Sequence, residues 1–136
     1  KRKVEEAAKI LDLEKLLDRK PKALSGGQRQ ALTLLMATMN PPKLLLLDEH
    51  TAALDPKTAK KVLELTEEFI ARDKLTAFMV THNMKDAIRY GNRLIMMMDG
   101  KVVYDVKGEE KKNLTVEDLL QKFSVKGEVN DKMVLG

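Results

Sequence analysis

The chain has 136 residues, of which 43% are hydrophobic and 34% are charged, and its formal net charge is +4. This is the composition of a globular protein, and the length predicts one domain or part of one. Cysteine is absent, which excludes a disulfide framework and a thiolate metal site. With 4% aromatic residues and mixed charge signs, no nucleic-acid partner is expected. No apolar run approaches the roughly 20 residues of a membrane span.

The first part of the chain predicts two helices. Apolar residues at helical spacing indicate an amphipathic helix over about 3–18: Val4, Ala7, Ala8 and Leu11. The chain begins inside this helix at Lys1, not at methionine, which indicates a fragment or a processed product. A second helix follows the sequence LSGGQ and ends near Met39, before two prolines. It has little polar face, so we expect it to be largely buried or covered by a partner.

A short apolar strand lies at the centre of the sequence. Four consecutive leucines, Leu44 to Leu47, have neither the alternation of a half-exposed strand nor the length of a helix. They predict a strand that is buried on both faces, as in a parallel sheet. The strand ends in two adjacent carboxylates, Asp48 and Glu49. Asp55 and Pro56 then predict the N-cap and first turn of a helix that runs to about Arg72.

A second buried strand is predicted over Leu75 to Val80, which completes a right-handed βαβ unit. His82 follows that strand, and Asn83 is positioned to cap a short helix that reaches Tyr90. The fold class is therefore α/β with a parallel core.

The last part of the chain predicts a β-hairpin and a helix. Strands over Arg93 to Met98 and Lys101 to Val106 flank Asp99-Gly100, a strong hairpin signal. Thr115 predicts the cap of a helix that ends near Phe123. We interpret Lys111-Lys112 as a solvated loop, and residues 124–136 as a loosely held tail.

Two of these motifs suggest phosphate chemistry. Asp48 and Glu49 at a strand end fit a magnesium-nucleotide site, one acid holding the metal and the other orienting the attacking water, although a plain acidic turn is the alternative. Ser25-Gly26-Gly27 at a helix start offers backbone amides and a hydroxyl to phosphate oxygens, or is a simple serine cap. His82 can donate a hydrogen bond to a phosphate oxygen, although a strand-end histidine is the ordinary alternative.

The order of these motifs resembles the ATP-binding cassette (ABC) family. LSGGQRQ matches its signature motif, LLLLDE its Walker B strand, ALD its D-loop, and the histidine after the next strand its H-loop. The resemblance implies that Ser25, Gly26, Gly27 and Gln28 contact the γ-phosphate of ATP held by the opposite subunit. It further implies a magnesium role for Asp48, a general-base or water-positioning role for Glu49, an interface role for Asp55, and a γ-phosphate contact for His82.

The sequence GxxxxGK[ST], which wraps the phosphates in this family, does not occur in the chain. The resemblance therefore implies a partial P-loop NTPase fold. Residues 1–42 would end the helical subdomain with the signature helix, and 43–123 would form the C-terminal part of the ATPase core. This half alone is expected to be inactive. The parent protein is expected to be an ATPase that uses ATP and Mg²⁺ and drives transport. Import of a small organic solute, such as an amino acid, is the favoured form of transport.

The resemblance also implies three partners: the missing N-terminal half, a second nucleotide-binding domain in a head-to-tail dimer, and transmembrane permease subunits. Through the permease, the protein would lie on the cytoplasmic face of the membrane. Two other functions stay open, an ABC ATPase without a transporter (DNA repair, chromosome or translation) and a non-catalytic interaction module. His50 stands where the family usually has proline, and a metal site from His50, His82 and a carboxylate is a minor alternative.

Overall fold

The computed structural model describes residues 24–124. The predicted helix over 3–18 and the predicted tail after Ser124 lie outside the described residues. The chain divides into two compact units, with the boundary between Val80 and Thr81. The predicted division into 1–42, 43–123 and 124–136 stays a prediction.

The first unit is a parallel βαβ arrangement preceded by a helix. Its elements are α1 (Gly26–Thr38), β1 (Leu44–Asp48), α2 (Pro56–Asp73) and β2 (Thr76–Val80). The two strands pair in parallel, in the register that places Leu44 opposite Thr76 and Asp48 opposite Val80. This confirms the predicted parallel strand pair. Asp55 caps α2 as predicted, since its side chain accepts a hydrogen bond from the backbone N–H of Thr58.

The core of this unit lies between the two helices and one face of the strand pair. It consists of apolar side chains from both helices and β1: Ala31, Leu34, Leu35, Leu45, Leu47, Val62, Leu65 and Phe69. Phe69 and Leu65 are the largest of the fully buried side chains. Ala77 and Met79 of β2 pack against the same cluster.

The opposite face of the strand pair is exposed, so the prediction that β1 is buried on both faces is wrong, and β2 is only partly buried. We call this opposite face the uncovered face, and it carries Leu44 (51% exposed), Leu46 (68%), Phe78 (49%) and Val80 (44%). The reason is packing, since the two helices described in this unit, α1 and α2, cover the side of Leu45 and Leu47. The signature helix α1 is likewise half covered, with Met36 exposed at 65%.

The second unit is built on an antiparallel hairpin. Its elements are α3 (Met84–Arg89), β3 (Arg93–Met98), β4 (Lys101–Lys107), α4 (Glu109–Lys112) and a helix α5 over 116–124. Asp99 and Gly100 both have positive φ, 50° and 73°, as a type I′ turn requires, which confirms the predicted hairpin. Its core joins the hairpin to α5 through Leu94, Met96, Val106 and Leu119.

Two helix caps in this unit were predicted correctly, but the prediction that Lys111 is solvated was wrong. Asn83 accepts from the N–H of Asp86, and Thr115 accepts from the N–H of Asp118. Lys111 is 3% exposed rather than solvated. Its ammonium group donates to the carbonyl oxygens of Ile88 and Tyr90 at the end of α3, which makes burial of the charge tolerable. Burial lowers the pKa of Lys111.

Candidate functional site

The two acids lie at the carboxyl end of β1, where parallel sheets bind ligands. Asp48 is the last residue of the strand and its side chain is exposed. Because side chains alternate along a strand, Asp48 shares its face with Leu44 and Leu46. The carboxylate therefore stands at the end of the uncovered face.

Glu49 has an unusual backbone conformation. Its φ is +48°, in the left-handed region, which costs a non-glycine residue about 1–2 kcal/mol. Its N–H donates to the carbonyl of Val80 at 2.9 Å, and its carbonyl accepts from the N–H of Ala52 at 3.0 Å. These bonds hold the residue at the edge formed by both strands. Strained residues of this kind concentrate at active sites and ligand clamps, so the conformation supports a functional role for Glu49.

His50 follows directly and is half-buried. Its Nε2 atom lies 3.1 Å from the hydroxyl of Thr66 on α2, and burial lowers the pKa of the imidazole. Within residues 24–124, no three histidine, aspartate or glutamate side chains lie close enough together to hold a metal ion. The structure therefore does not bear out the three-ligand metal site with His50 and His82. A carboxylate such as Asp48 still suits Mg²⁺, which takes one or two protein oxygens and completes its shell with water and phosphate.

The signature segment begins α1 with a capping box. The N–H of Gln28 donates to the Ser25 hydroxyl at 3.2 Å, and the N–H of Ser25 donates to the side-chain oxygen of Gln28 at 2.9 Å. The serine is thus a cap, as the simpler interpretation expected. A phosphate contact remains chemically compatible with this cap, because the serine hydroxyl keeps its own proton and the glutamine amide keeps two.

The two glycines of the signature segment touch the start of α2. A methyl group added at Gly27 would overlap with the γ-methyl of Thr58, whereas one at Gly26 would meet only a Leu54 methyl at 3.4 Å. Gly27 is buried and Gly26 is exposed. The signature segment and the start of α2, with its cap Asp55, therefore lie side by side. Sequence reasoning missed Thr58, because no local pattern shows which side chain a glycine faces.

Asp55 and His82 complete the set of predicted site residues. Asp55 is exposed, and its hydrogen bonds with the Thr58 side chain and backbone lower the pKa of the carboxyl group. His82 has an exposed side chain two residues after β2, in the second unit. The structure thus brings Asp48 and Glu49 together, and separately Ser25, Gly26, Gly27 and Asp55. The meeting of His82 with the two acids stays a prediction.

Comparisons with known proteins agree with these motifs. The family model described as ABC transporter matches residues 1–52. The tyrosine transport ATP-binding protein of Clostridioides difficile is 59% identical over 113 residues, which cover 83% of this chain and 45% of that protein. The methionine import ATP-binding protein MetN 2 of Oenococcus oeni is 37% identical, over 85% of this chain and 35% of that protein. The chain spans less than half the length of these curated relatives.

Solved structures show the same likeness. The dimeric structure of MJ0796, a bacterial ABC transporter cassette, has a TM-score of 0.63 and 36% identity, and the match covers 78% of this chain and 46% of that one. The ADP conformation of MJ1267, an ATP-binding cassette of an ABC transporter, has a TM-score of 0.70 and 28% identity, and the match covers 90% of this chain and 50% of that one.

In the part of the chain that the structure describes, residues 24–124, no helix combines the length and the hydropathy of a membrane span.

Proposed function

Since this chain is part of an ABC transporter ATP-binding domain, we propose that it is the C-terminal part of the ATP-binding subunit of an importer. The complete protein would bind ATP with Mg²⁺ and hydrolyse it to drive uptake of a small organic solute. The names of the two relatives, tyrosine transport and methionine import, favour an amino acid as that solute. The observation that carries the ATPase proposal is the pair of acids at the end of β1, with Glu49 held in a strained conformation.

The acids and the histidine have separate roles in this proposal. Mg²⁺, when bound, would neutralise charge on the phosphates, and Asp48 would hold it through water. Glu49, one residue beyond the strand, would orient or deprotonate the water that attacks the γ-phosphate in line. His82 would donate a hydrogen bond to a γ-phosphate oxygen. The order of the motifs along the chain supports these roles, since the acids come at the end of β1 and His82 comes two residues after β2.

The signature segment would act on a second nucleotide-binding domain. Ser25 and Gly26 are exposed at the positive end of a 13-residue helix, and the capping box leaves hydroxyl and amide protons for an anion. Gly26, Gly27 and Gln28 would join Ser25 in contacting the γ-phosphate held by the opposite domain of a head-to-tail dimer. Asp55, exposed beside this segment, would lie at the same interface.

The uncovered face supports a further partner, the N-terminal half of the domain. Parallel sheets are normally covered on both faces, and here the exposed face is apolar and ends in Asp48. A segment that packs on Leu46 and Phe78 would bring its own residues to the nucleotide site. We propose that the missing half covers this face and supplies the phosphate loop. The permease subunits would then hold the complete domain at the cytoplasmic face of the membrane.

Calorimetric titration with Mg-ATP tests whether the nucleotide site is divided between this chain and the missing half. We expect no binding to the 136-residue chain at millimolar nucleotide, because half of the cradle is absent. In the complete ATP-binding protein, Glu49→Gln should keep nucleotide binding and lower the hydrolysis rate about 100-fold or more. The matched control is Glu64→Gln, an exposed glutamate on α2 that should leave hydrolysis unchanged.

Two results would contradict this proposal in different places. If the 136-residue chain alone bound and hydrolysed ATP, the division of the site between two halves would be wrong. If Glu49→Gln hydrolysed ATP as fast as the unchanged protein, the role of Glu49 would be wrong, whatever the binding result.

A further inference from the structure

A side-chain hydrogen bond ties the start of the turn between β1 and α2 to the middle of α2. His50 Nε2 lies 3.1 Å from the hydroxyl oxygen of Thr66, which is 3% exposed and lies near the middle of α2. The two residues are 16 positions apart, so the bond joins the turn to the packed body of the unit. It comes one residue after Glu49, at the point where the chain leaves the sheet.

The direction of this bond follows from counting protons. The Thr66 hydroxyl donates its single proton to the carbonyl of Val62 at 2.7 Å. It can therefore only accept from His50, and Nε2 must carry the hydrogen. The imidazole is thus held as the Nε2–H tautomer, with its ring orientation set by a buried partner.

Backbone hydrogen bonds also shape the turn, and the N–H of Glu49 donates to the carbonyl of Val80. Ala52 donates to the carbonyl of Glu49 at 3.0 Å, and Leu54 donates to the carbonyl of Thr51 at 3.1 Å. These bonds are local. Asp55 and Leu54 fix the far end of the turn, through the cap on Thr58 and through packing on the core, whereas the His50 bond acts one residue after Glu49. Glu49 stays in its left-handed conformation only while the surrounding structure holds it there, since that conformation is unfavourable by itself.

We infer that His50 is a positioning residue for Glu49, which by donating from Nε2 to Thr66 anchors the turn and keeps Glu49 directed from the carboxyl end of β1. His50 itself touches no reacting atom in this role. The importance of the position of Glu49 rests on the proposed function. The anchoring itself does not, and it is testable without nucleotide.

The first test is NMR of the ¹⁵N-labelled 136-residue chain at neutral pH. We expect ¹⁵N shifts of His50 that identify the Nε2–H tautomer. Thr66→Val should abolish the tautomer preference and raise the amide exchange rate of Ala52 about five- to tenfold, as loss of one neutral hydrogen bond predicts. Thr66→Ser, which keeps the hydroxyl, should retain both properties.

A matched control is available on α1. Thr33 also donates its hydroxyl to a carbonyl four residues back, that of Arg29, but is exposed. Thr33→Val should leave the exchange of Ala52 unchanged. An Nδ1–H tautomer in the unchanged chain, or an Ala52 exchange rate that Thr66→Val does not alter, would overturn the anchoring.

The second test separates positioning from structure by kinetics of the complete ATP-binding protein. His50→Ala and Thr66→Val should each lower kcat about 10- to 100-fold with the KM for ATP unchanged, while Thr66→Ser restores kcat. If Glu49→Gln abolishes hydrolysis but these variants leave kcat unchanged, this inference is wrong and the proposed function stands. If Glu49→Gln has no effect, the proposed role of Glu49 fails, and with it the catalytic importance of the anchor.

Discussion

The two units of the chain differ in how their strand pairs are covered. The hairpin of the second unit buries Leu94, Met96 and Val106 in its core. Its exposed residues include the Arg93–Asp105 ion pair at 2.6 Å and the paired apolar residues Met97 and Val102. The parallel pair of the first unit is apolar on both faces, and among residues 24–124 the helices α1 and α2 cover one of them. The hairpin unit thus closes over a core of its own. The parallel unit, which carries the two acids, leaves an apolar face exposed, and this is the face that we propose the missing half covers.

The sharpest test of this difference is a pair of neighbouring leucines in β1. Leu47 is 7% exposed and belongs to the core, whereas Leu46 is 68% exposed on the uncovered face. Leu47→Ala should lower the free energy of unfolding by about 2–5 kcal/mol, because it leaves a cavity. Leu46→Ala should lower it by less than about 1 kcal/mol. Urea unfolding followed by circular dichroism measures the free energy of unfolding of both variants. Because both changes replace leucine by alanine in the same strand, the loss of β-propensity is the same in each variant.

The same two substitutions test what covers the uncovered face in the complete protein. In the complete ATP-binding protein, we expect Leu46→Ala to become costly, approaching the loss caused by Leu47→Ala, because the missing half would bury this side chain. If Leu46→Ala stays without effect in the complete protein, the uncovered face is not where the missing half packs.

Substitutions of two neighbouring lysines test what holds the end of α3 in the second unit. Lys111→Met should lower the free energy of unfolding by about 1–3 kcal/mol, because the partly buried carbonyls of Ile88 and Tyr90 lose their donor. Lys112→Met is the matched control. It removes only an exposed ion pair with Glu109 and should have little effect. Equal effects in thermal unfolding would mean that Lys111 does not hold the end of α3.

Local signals made much of this fold predictable from the sequence. The caps at Ser25, Asp55, Asn83 and Thr115 each bond within three residues, and the Asp99-Gly100 turn needs only its own backbone angles. The two acids were likewise found because an apolar run ends in them. Features of this kind depend on neighbours in the chain, which a sequence shows directly.

Contacts between distant residues were not predictable in the same way. The four leucines of β1 indicated burial on both faces, but burial depends on what covers a strand, and only one face is covered here. Lys111 resembled a solvated residue because its carbonyl partners lie more than 20 positions away. The bonding of His50 to Thr66, and the packing of Gly27 on Thr58, left no periodic signal for the same reason.

The glycine pair of the signature segment gives a finer test within the first unit. Gly27→Ala would gain up to about 1 kcal/mol of helix propensity, but the new methyl would overlap with the Thr58 γ-methyl. The overlap should dominate, with a net loss of about 1–2 kcal/mol, since overpacking a buried contact forces neighbours to move. Gly26→Ala meets only a leucine methyl at contact distance and should be neutral or stabilising.

Thr58→Ser identifies the cause of this loss, because serine lacks the methyl that Gly27 faces and keeps the hydroxyl beside Asp55. Combined with Gly27→Ala, it should restore most of the stability, so the two changes together cost less than their sum. Strict additivity in urea unfolding would show that Gly27 and Thr58 do not touch. The signature segment and the start of α2 would then be separate features, whereas a coupling shows that a shift in one must move the other.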